Sequence, residues 1–354
     1  MSGRRTGWAM AVPLVLLLAS GCATTTKADR RAARELAEKV YPGELRVVRA
    51  GTLFPETSGS EVTFALRDDP DAAVVLRMDA KRDDCGGEPC EEALRSARDS
   101  GERAAADWRA LDTAFAGCGH RVLGVTAAGG SVSEPWIAAP LTNDTATAAL
   151  TEVGACLQAW ARALPGDGEA GRRTGMSVHI VAPEHARGLP GGRDGDPTVL
   201  RMSSRRLLAA LSKHTFHTAS FRWHGDTPVP GSGQLVRTQP FEEGQRFADR
   251  ARGSVAAWLA AEHPDAAVVD AWSGVWHLAP GRVDRLRGYV LFCAGKPAAG
   301  QRCYGDRAAL VTVDPQGRLR GTPAVLDGIR DERGALRLPP LPEAEGPPAR
   351  DTYG

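Results

Sequence analysis

Glu61-Val-Thr-Phe-Ala-Leu-Arg-Asp-Asp-Pro-Asp-Ala-Ala-Val-Val-Leu-Arg-Met78 is the stretch that decides the fold class. Val62, Phe64 and Leu66 recur at every second position, Asp68-Asp-Pro-Asp71 is turn chemistry, and Val74, Leu76 and Met78 alternate again. A period of two on both sides of a turn predicts a hairpin with an apolar face. Downstream, Leu94, Ala97, Gly101, Ala104, Trp108, Leu111 and Phe115 step by three and four, with charged residues between them, which predicts a long amphipathic helix. Upstream, Ala33, Leu36, Ala37 and Val40 mark a shorter helix that stops at Pro42-Gly43, before a strand over Leu45 to Ala50. Helices packed on antiparallel sheets make an α+β protein.

The same reading extends along the chain. Two strands fit His120 to Thr126 and Glu134 to Pro140, and a helix fits Thr145 to Leu164 through Leu150, Val153, Leu157 and Trp160. The stretch 165–200 is rich in glycine and charge and reads as a connection between two halves, 31–164 and 201–337. The second half reads as helix, strand, the Pro/Gly loop Thr227 to Gly233, a helix through Phe247, Ala251, Val255 and Leu259, and strands over Ala267 to Trp276, Gly288 to Cys293 and Ala308 to Val313. Helix, Tyr41-Pro42-Gly43, strand in one half matches helix, His263-Pro264-Asp265, strand in the other, so the halves are expected to be similar. Residues 338–354 are Pro-rich and acidic and read as a disordered tail.

Residues 1–21 show the three zones of a secretory signal: Arg4 and Arg5, an apolar run from Ala11 to Ala19, and small residues at Ala19, Ser20 and Gly21. The apolar run is about half of the roughly 20 residues that span a bilayer. Leu18-Ala19-Ser20-Gly21-Cys22 resembles the lipobox of bacterial lipoproteins, with Ala19 where the commonest pattern has Leu. The resemblance implies cleavage before Cys22, a diacylglyceryl group on its thiol and a lipid-anchored mature chain, with 22–30 as a tether. Lys39-Val-Tyr-Pro-Gly43 and Ser60 to Ala72 extend the similarity to a family of actinobacterial lipoproteins with no assigned activity. That likeness implies surface anchoring and nothing about a reaction.

Without Cys22, six cysteines remain of seven, an even set that in an exported chain favours disulfides. Six allow fifteen pairings, so spacing has to choose. Cys85-Gly-Gly-Glu-Pro-Cys90 closes locally, Cys293 and Cys303 tie the base of a hairpin, and Cys118 is left with Cys156. Paired CxxC knuckles for zinc do not occur.

The chain carries a formal charge of +1, which falls to −1 without Arg4 and Arg5, and it has no basic block, so nucleic acid is not an expected partner. GxSxG, SxxK and the P-loop are absent from the sequence, and the one GxGxxG match, Gly166 to Gly171, sits in a glycine- and charge-rich loop rather than between a strand and a helix. His214 and His217 point to opposite faces of a strand and read as structural. No catalytic residue, metal or cofactor is expected. Trp272 and Trp276 share one sheet face, beside Gly274, and with the 188–197 loop they form the candidate binding surface for a cell-wall or protein partner. Together these readings point to a lipid-anchored envelope protein on the extracytoplasmic face of the cell membrane, a non-catalytic binding or scaffold module. The alternative is a cell-envelope hydrolase of unidentified mechanism.

Overall fold

The computed structural model describes residues 18–53, 58–164, 176–187, 189, 192–224, 227–269, 276–295, 303–339 and 341, with side chains from residue 26 onward. The elements run α1 (Leu18–Val40), β1 (Leu45–Thr52), β2 (Ser60–Leu66), β3 (Ala73–Met78), α2 (Cys90–Gly117), β4 (Val122–Ala128), β5 (Ser131–Ala138) and α3 (Ala146–Ala163). They continue with β6 (Ser177–Val181), α4 (Pro183–Ala186), α5 (Thr198–Arg201), α6 (Ser204–Leu211), β7 (Phe216–Ser220), β8 (Trp223–His224), β9 (Thr227–Pro228) and β10 (Gln234–Thr238). The last are α7 (Phe241–Glu262), β11 (Ala267–Val268), β12 (His277–Leu278), β13 (Leu286–Cys293), β14 (Arg307–Val313) and β15 (Ala324–Leu326). The protein is α+β, with mostly antiparallel sheets.

It divides into two compact units. The first takes the chain up to Arg109, together with Ala127–Val132 and Gly191–Met202; the second takes Ala110–Thr126, Ser133–Pro190 and Ser203 onward. The division therefore falls inside α2, and not at the 165–200 stretch that the sequence suggested as the connection. Composition marks where a chain turns; it does not report which unit a loop packs on.

In the first unit β1, β2 and β3 form an antiparallel sheet in chain order, with Phe64 opposite both Val47 and Val74. Val62, Phe64, Leu66, Val74, Leu76 and Met78 are buried with Ala33 and Ala37 of α1 and Leu94 and Ala105 of α2. The central strand is buried on its other face too, at Thr63 and Ala65. Helix α2 crosses β3 closely, since a Cβ on Gly101 would lie 2.6 Å from the Ala73 carbonyl oxygen. Glycine here is a packing requirement of the helix stripe.

Two expectations are corrected in this unit. The stretch 22–30 is not a loose tether, because α1 already covers it and Asp29 is fully buried. The Asp29 carboxylate accepts the Ser60 hydroxyl at 2.5 Å and the Ala80 N–H at 2.9 Å. A count of apolar residues begins the helix at Ala33 and misses this polar anchor. Residues 192–202 are likewise part of the unit: Arg46 Nη2 donates to the Gly195 carbonyl at 2.7 Å, Arg49 pairs with buried Asp196 at 3.1 Å, and Thr198 N–H donates to the Pro70 carbonyl at 3.0 Å.

The sheet of the second unit runs β15-β14-β13-β12-β10-β7-β6-β5-β4, with β11 beside β13. β5 and β6 are parallel, and β6, β7, β10, β12, β13, β14 and β15 pair antiparallel in turn. Val153, Leu157 and Trp160 of α3 and Val255 and Leu259 of α7 are buried. Helix α7 also lies against the turn after β14, where Ser254 Oγ donates to the Gly317 carbonyl at 3.0 Å. The expected similarity of the two halves does not extend to strand pairing. β1 pairs the next strand, whereas β11 pairs β13 and leaves β12 between β10 and β13. Helix–Pro–strand punctuation records a local turn and carries no information on the partner strand. The start of the expected tail is ordered, because Leu338 and Leu341 pack against Tyr289, Ala308 and Ile329, and the Tyr289 hydroxyl donates to the Pro339 carbonyl at 2.8 Å; residues 342–354 lie outside the described residues.

Candidate functional site

A cavity of about 340 Å³ opens in the second unit between α3, the loop 228–233 and the β12–β13 turn. One stripe of α3 supplies Thr147, Leu150, Thr151, Gly154, Ala155 and Gln158. These residues recur at three and four and lie beside the buried stripe, so α3 packs with one face and borders the cavity with the next. Cys156 sits on the buried stripe. Its disulfide to Cys118, with Cα atoms 5.9 Å apart, ties α3 to the end of α2 from the side away from the cavity.

Phe221 forms the floor. A Cβ on Gly154 would approach its ring to 3.3 Å and one on Gly233 to 2.9 Å, so both glycines make room for the ring. The wall Pro228-Val-Pro-Gly231 is held by one buried hydroxyl. Ser232 Oγ donates to the Val229 carbonyl at 2.7 Å and accepts the Arg222 N–H at 3.0 Å. The opposite rim is Pro280-Gly281, with Gly281 at φ +65°, which favours glycine. Val283 N–H donates to Asn143 Oδ1 at 2.8 Å and holds this turn beside the start of α3. Arg282 and Asp284 stiffen it with two contacts of 2.8 and 2.7 Å.

The lining is apolar apart from the Thr147 and Thr151 hydroxyls and the Gln158 amide, and the Thr151 hydroxyl already donates to the Thr147 carbonyl at 3.0 Å. Among the described residues that line it there is no His, Cys, Asp, Glu, Lys or Arg. Such a wall can desolvate and hydrogen-bond an uncharged group.

The three expected cysteine pairs are joined, Cys85 with Cys90, Cys118 with Cys156 and Cys293 with Cys303. Cys22 falls within α1, and its side chain is outside the described ones. Trp272 is outside the described residues. Trp276 is half-buried and engaged: its ring covers Gly288, where a Cβ would lie 2.8 Å away, and it meets Phe247 edge-on at 5.3 Å. Trp276 thus packs between α7 and β13; with Trp272 outside the described residues the pair is not decided, and the α3 cavity is a second candidate surface. Of the 188–197 loop, residues 192–197 belong to the first unit while Trp276 belongs to the second.

His214 stacks on His185 at 4.1 Å. His217 lies on β7 opposite Arg237, and burial, with the Arg237 charge, pushes its imidazole down to about 4. His179 Nδ1 lies 3.0 Å from Thr218 Oγ1, and burial lowers its pKa also, but its ring is packed between Trp136 at 4.3 Å and Phe216 at 5.7 Å. Cys293, Cys303 and Asp306 converge, yet the two sulfurs are bonded to each other and offer no thiolate. No described helix is long and apolar enough to cross a membrane.

The sequence contained a signal for the cavity in Pro228, Pro230 and Pro280, each beside a glycine or near one, and in the small polar stripe of α3. Nothing local brings those three segments together. No protein family, curated protein or solved structure matches the chain.

Proposed function

We propose that the protein is a lipid-anchored, non-catalytic binding module of the cell envelope, held through Cys22 at the extracytoplasmic face of the cell membrane. The lipobox residues Leu18 to Cys22 support the location. The apolar lining of the α3 cavity, with no titratable group among the described residues, supports the binding role. The ligand this wall suits is uncharged and largely apolar, either a small solute or a neutral segment of a cell-wall or protein partner.

Two measurements test the reading. Cys22→Ala should shift the protein from the membrane to the soluble fraction; retention at the wild-type level refutes the anchor. Nile red, a neutral apolar dye, should bind the wild type, and Ala155→Phe at the exposed mouth should weaken it at least tenfold. Equal binding by both removes the cavity from the proposal. The competing reading, an envelope hydrolase, draws on the His179–Thr218 contact, an imidazole within reach of a hydroxyl. It requires ester turnover that Thr218→Ala abolishes.

A further inference from the structure

We infer that the outward face of α1 is a docking surface for an anionic phospholipid bilayer, an inference that rests on lipid attachment at Cys22. Lys27, Arg30, Arg31 and Arg34 are all exposed. Their spacing of three and four gathers them into one stripe about 100° wide. Asp29, Ala33 and Ala37, buried against the first unit, lie on the neighbouring flank of the helix, centred about 110° around the axis from the stripe. Arg31 pairs with Glu35 at 2.9 Å, and among the described residues no ion pair engages Lys27, Arg30 or Arg34. The acidic residue within this run, Asp29, is buried and hydrogen-bonded, so it does not offset the cations at the surface. Exposed acids begin only at Glu35 and Glu38, where the stripe ends.

The stripe follows the lipid-attachment position directly. α1 is continuous from Leu18, so Lys27 lies about 7.5 Å and Arg34 about 18 Å along the axis from Cys22. Screening limits surface attraction to about 8 Å at physiological salt. An upright helix would leave Arg34 outside that range. All four cations act together only when α1 lies along the membrane with the stripe towards it, which sets its buried face, and the first unit, to the side of the helix and off the surface. One acyl-bearing residue and a basic face would then fix the unit's orientation as well as its attachment.

The occupant is an anionic headgroup surface, and the test uses the full chain carrying Cys22→Ala, so that acylation does not contribute. Binding is measured to vesicles of phosphatidylcholine alone and with 30% phosphatidylglycerol, at low salt. Each Lys or Arg near such a surface is worth about fivefold, so Lys27→Gln, Arg30→Gln and Arg34→Gln together should cut the phosphatidylglycerol preference on the order of 100-fold. A control with Arg187→Gln, Arg205→Gln and Lys213→Gln, three exposed cations of the second unit, should keep it. An unchanged preference in the α1 variant overturns the inference, as does an equal loss in the control. Either result leaves the Cys22 anchor standing, because that is read separately by fractionation of the acylated protein.

Discussion

The first unit pairs β1, β2 and β3 in the order in which the chain makes them, and the sheet of the second also runs in chain order from β4 to β15, with β8 and β9 paired apart and β11 set beside β13. The stapling is what differs. Cys85 and Cys90 are five residues apart, while Cys118 and Cys156 are 38 apart. The surfaces differ as well: the first unit presents a cationic helix face, the second an uncharged cavity. Closing a long loop costs the unfolded chain more entropy than closing a short one, so a crosslink between distant residues removes more of it.

This contrast sets the largest expected effect. On chain-entropy grounds, replacing Cys118 and Cys156 together by Ala should cost roughly 4 kcal/mol, and replacing Cys85 and Cys90 roughly 2. Hydrogen exchange resolved by peptide separates the units, with 62–66 reporting on the first and 288–292 on the second. If both pairs cost the same, or the short one costs more, the length of the loop closed does not govern stability here.

Legibility in the sequence follows the same line. Val62, Phe64, Leu66, Val74, Leu76 and Met78 alternate because both strands lie on one core, so the hairpin and the helix over it could be read directly. β8, β9, β11 and β12 are two residues long, too short for any period to appear, and the residues that frame the cavity come from 147–158, 221–233 and 280–281. Their meeting depends on Asn143 reaching Val283 and on Phe221 fitting between Gly154 and Gly233, relations that no local pattern expresses. The cysteines were readable because a disulfide leaves its chemistry in the residue type and its reach in the spacing. The packing of Trp276 was not readable from its spacing, because its contact with Gly288 joins segments twelve residues apart and no local period expresses it.

A second difference between the units is their response to acid. His217 in the second unit is held to about 4 by burial and by Arg237, against an unfolded value near 6.5. The folded protein therefore keeps it neutral while the unfolded chain protonates it. Stability from this group is complete above about pH 6.5 and falls as the pH drops toward 4, by at most about 3 kcal/mol. His179 and His277, both lowered by burial, act in the same direction. His217→Gln should flatten part of the stability–pH slope in that window. A slope identical to that of the wild type would place the acid sensitivity elsewhere.

The smallest effect tests a buried long-range polar tie in the first unit that sequence periodicity passes over. Asp29 lies where a flexible tether was expected, yet its carboxylate is buried and bridges α1 to Ser60 on β2 and to Ala80 after β3. Hydrogen bonds to a charged group contribute roughly 1.5–3 kcal/mol each, and their loss is partly offset because the charge no longer has to be desolvated. Asp29→Ala should therefore destabilise the first unit by about 2 kcal/mol, seen as faster exchange in 62–66 with 288–292 unchanged. Asp29→Asn, which keeps one acceptor oxygen, should recover part of the loss. If Asp29→Ala is silent, the segment before Ala33 behaves as a free tether. The orientation of α1 at the membrane would then lose its structural basis even where the cations are present, because a cationic stripe can direct the first unit only if its helix is fastened to that unit.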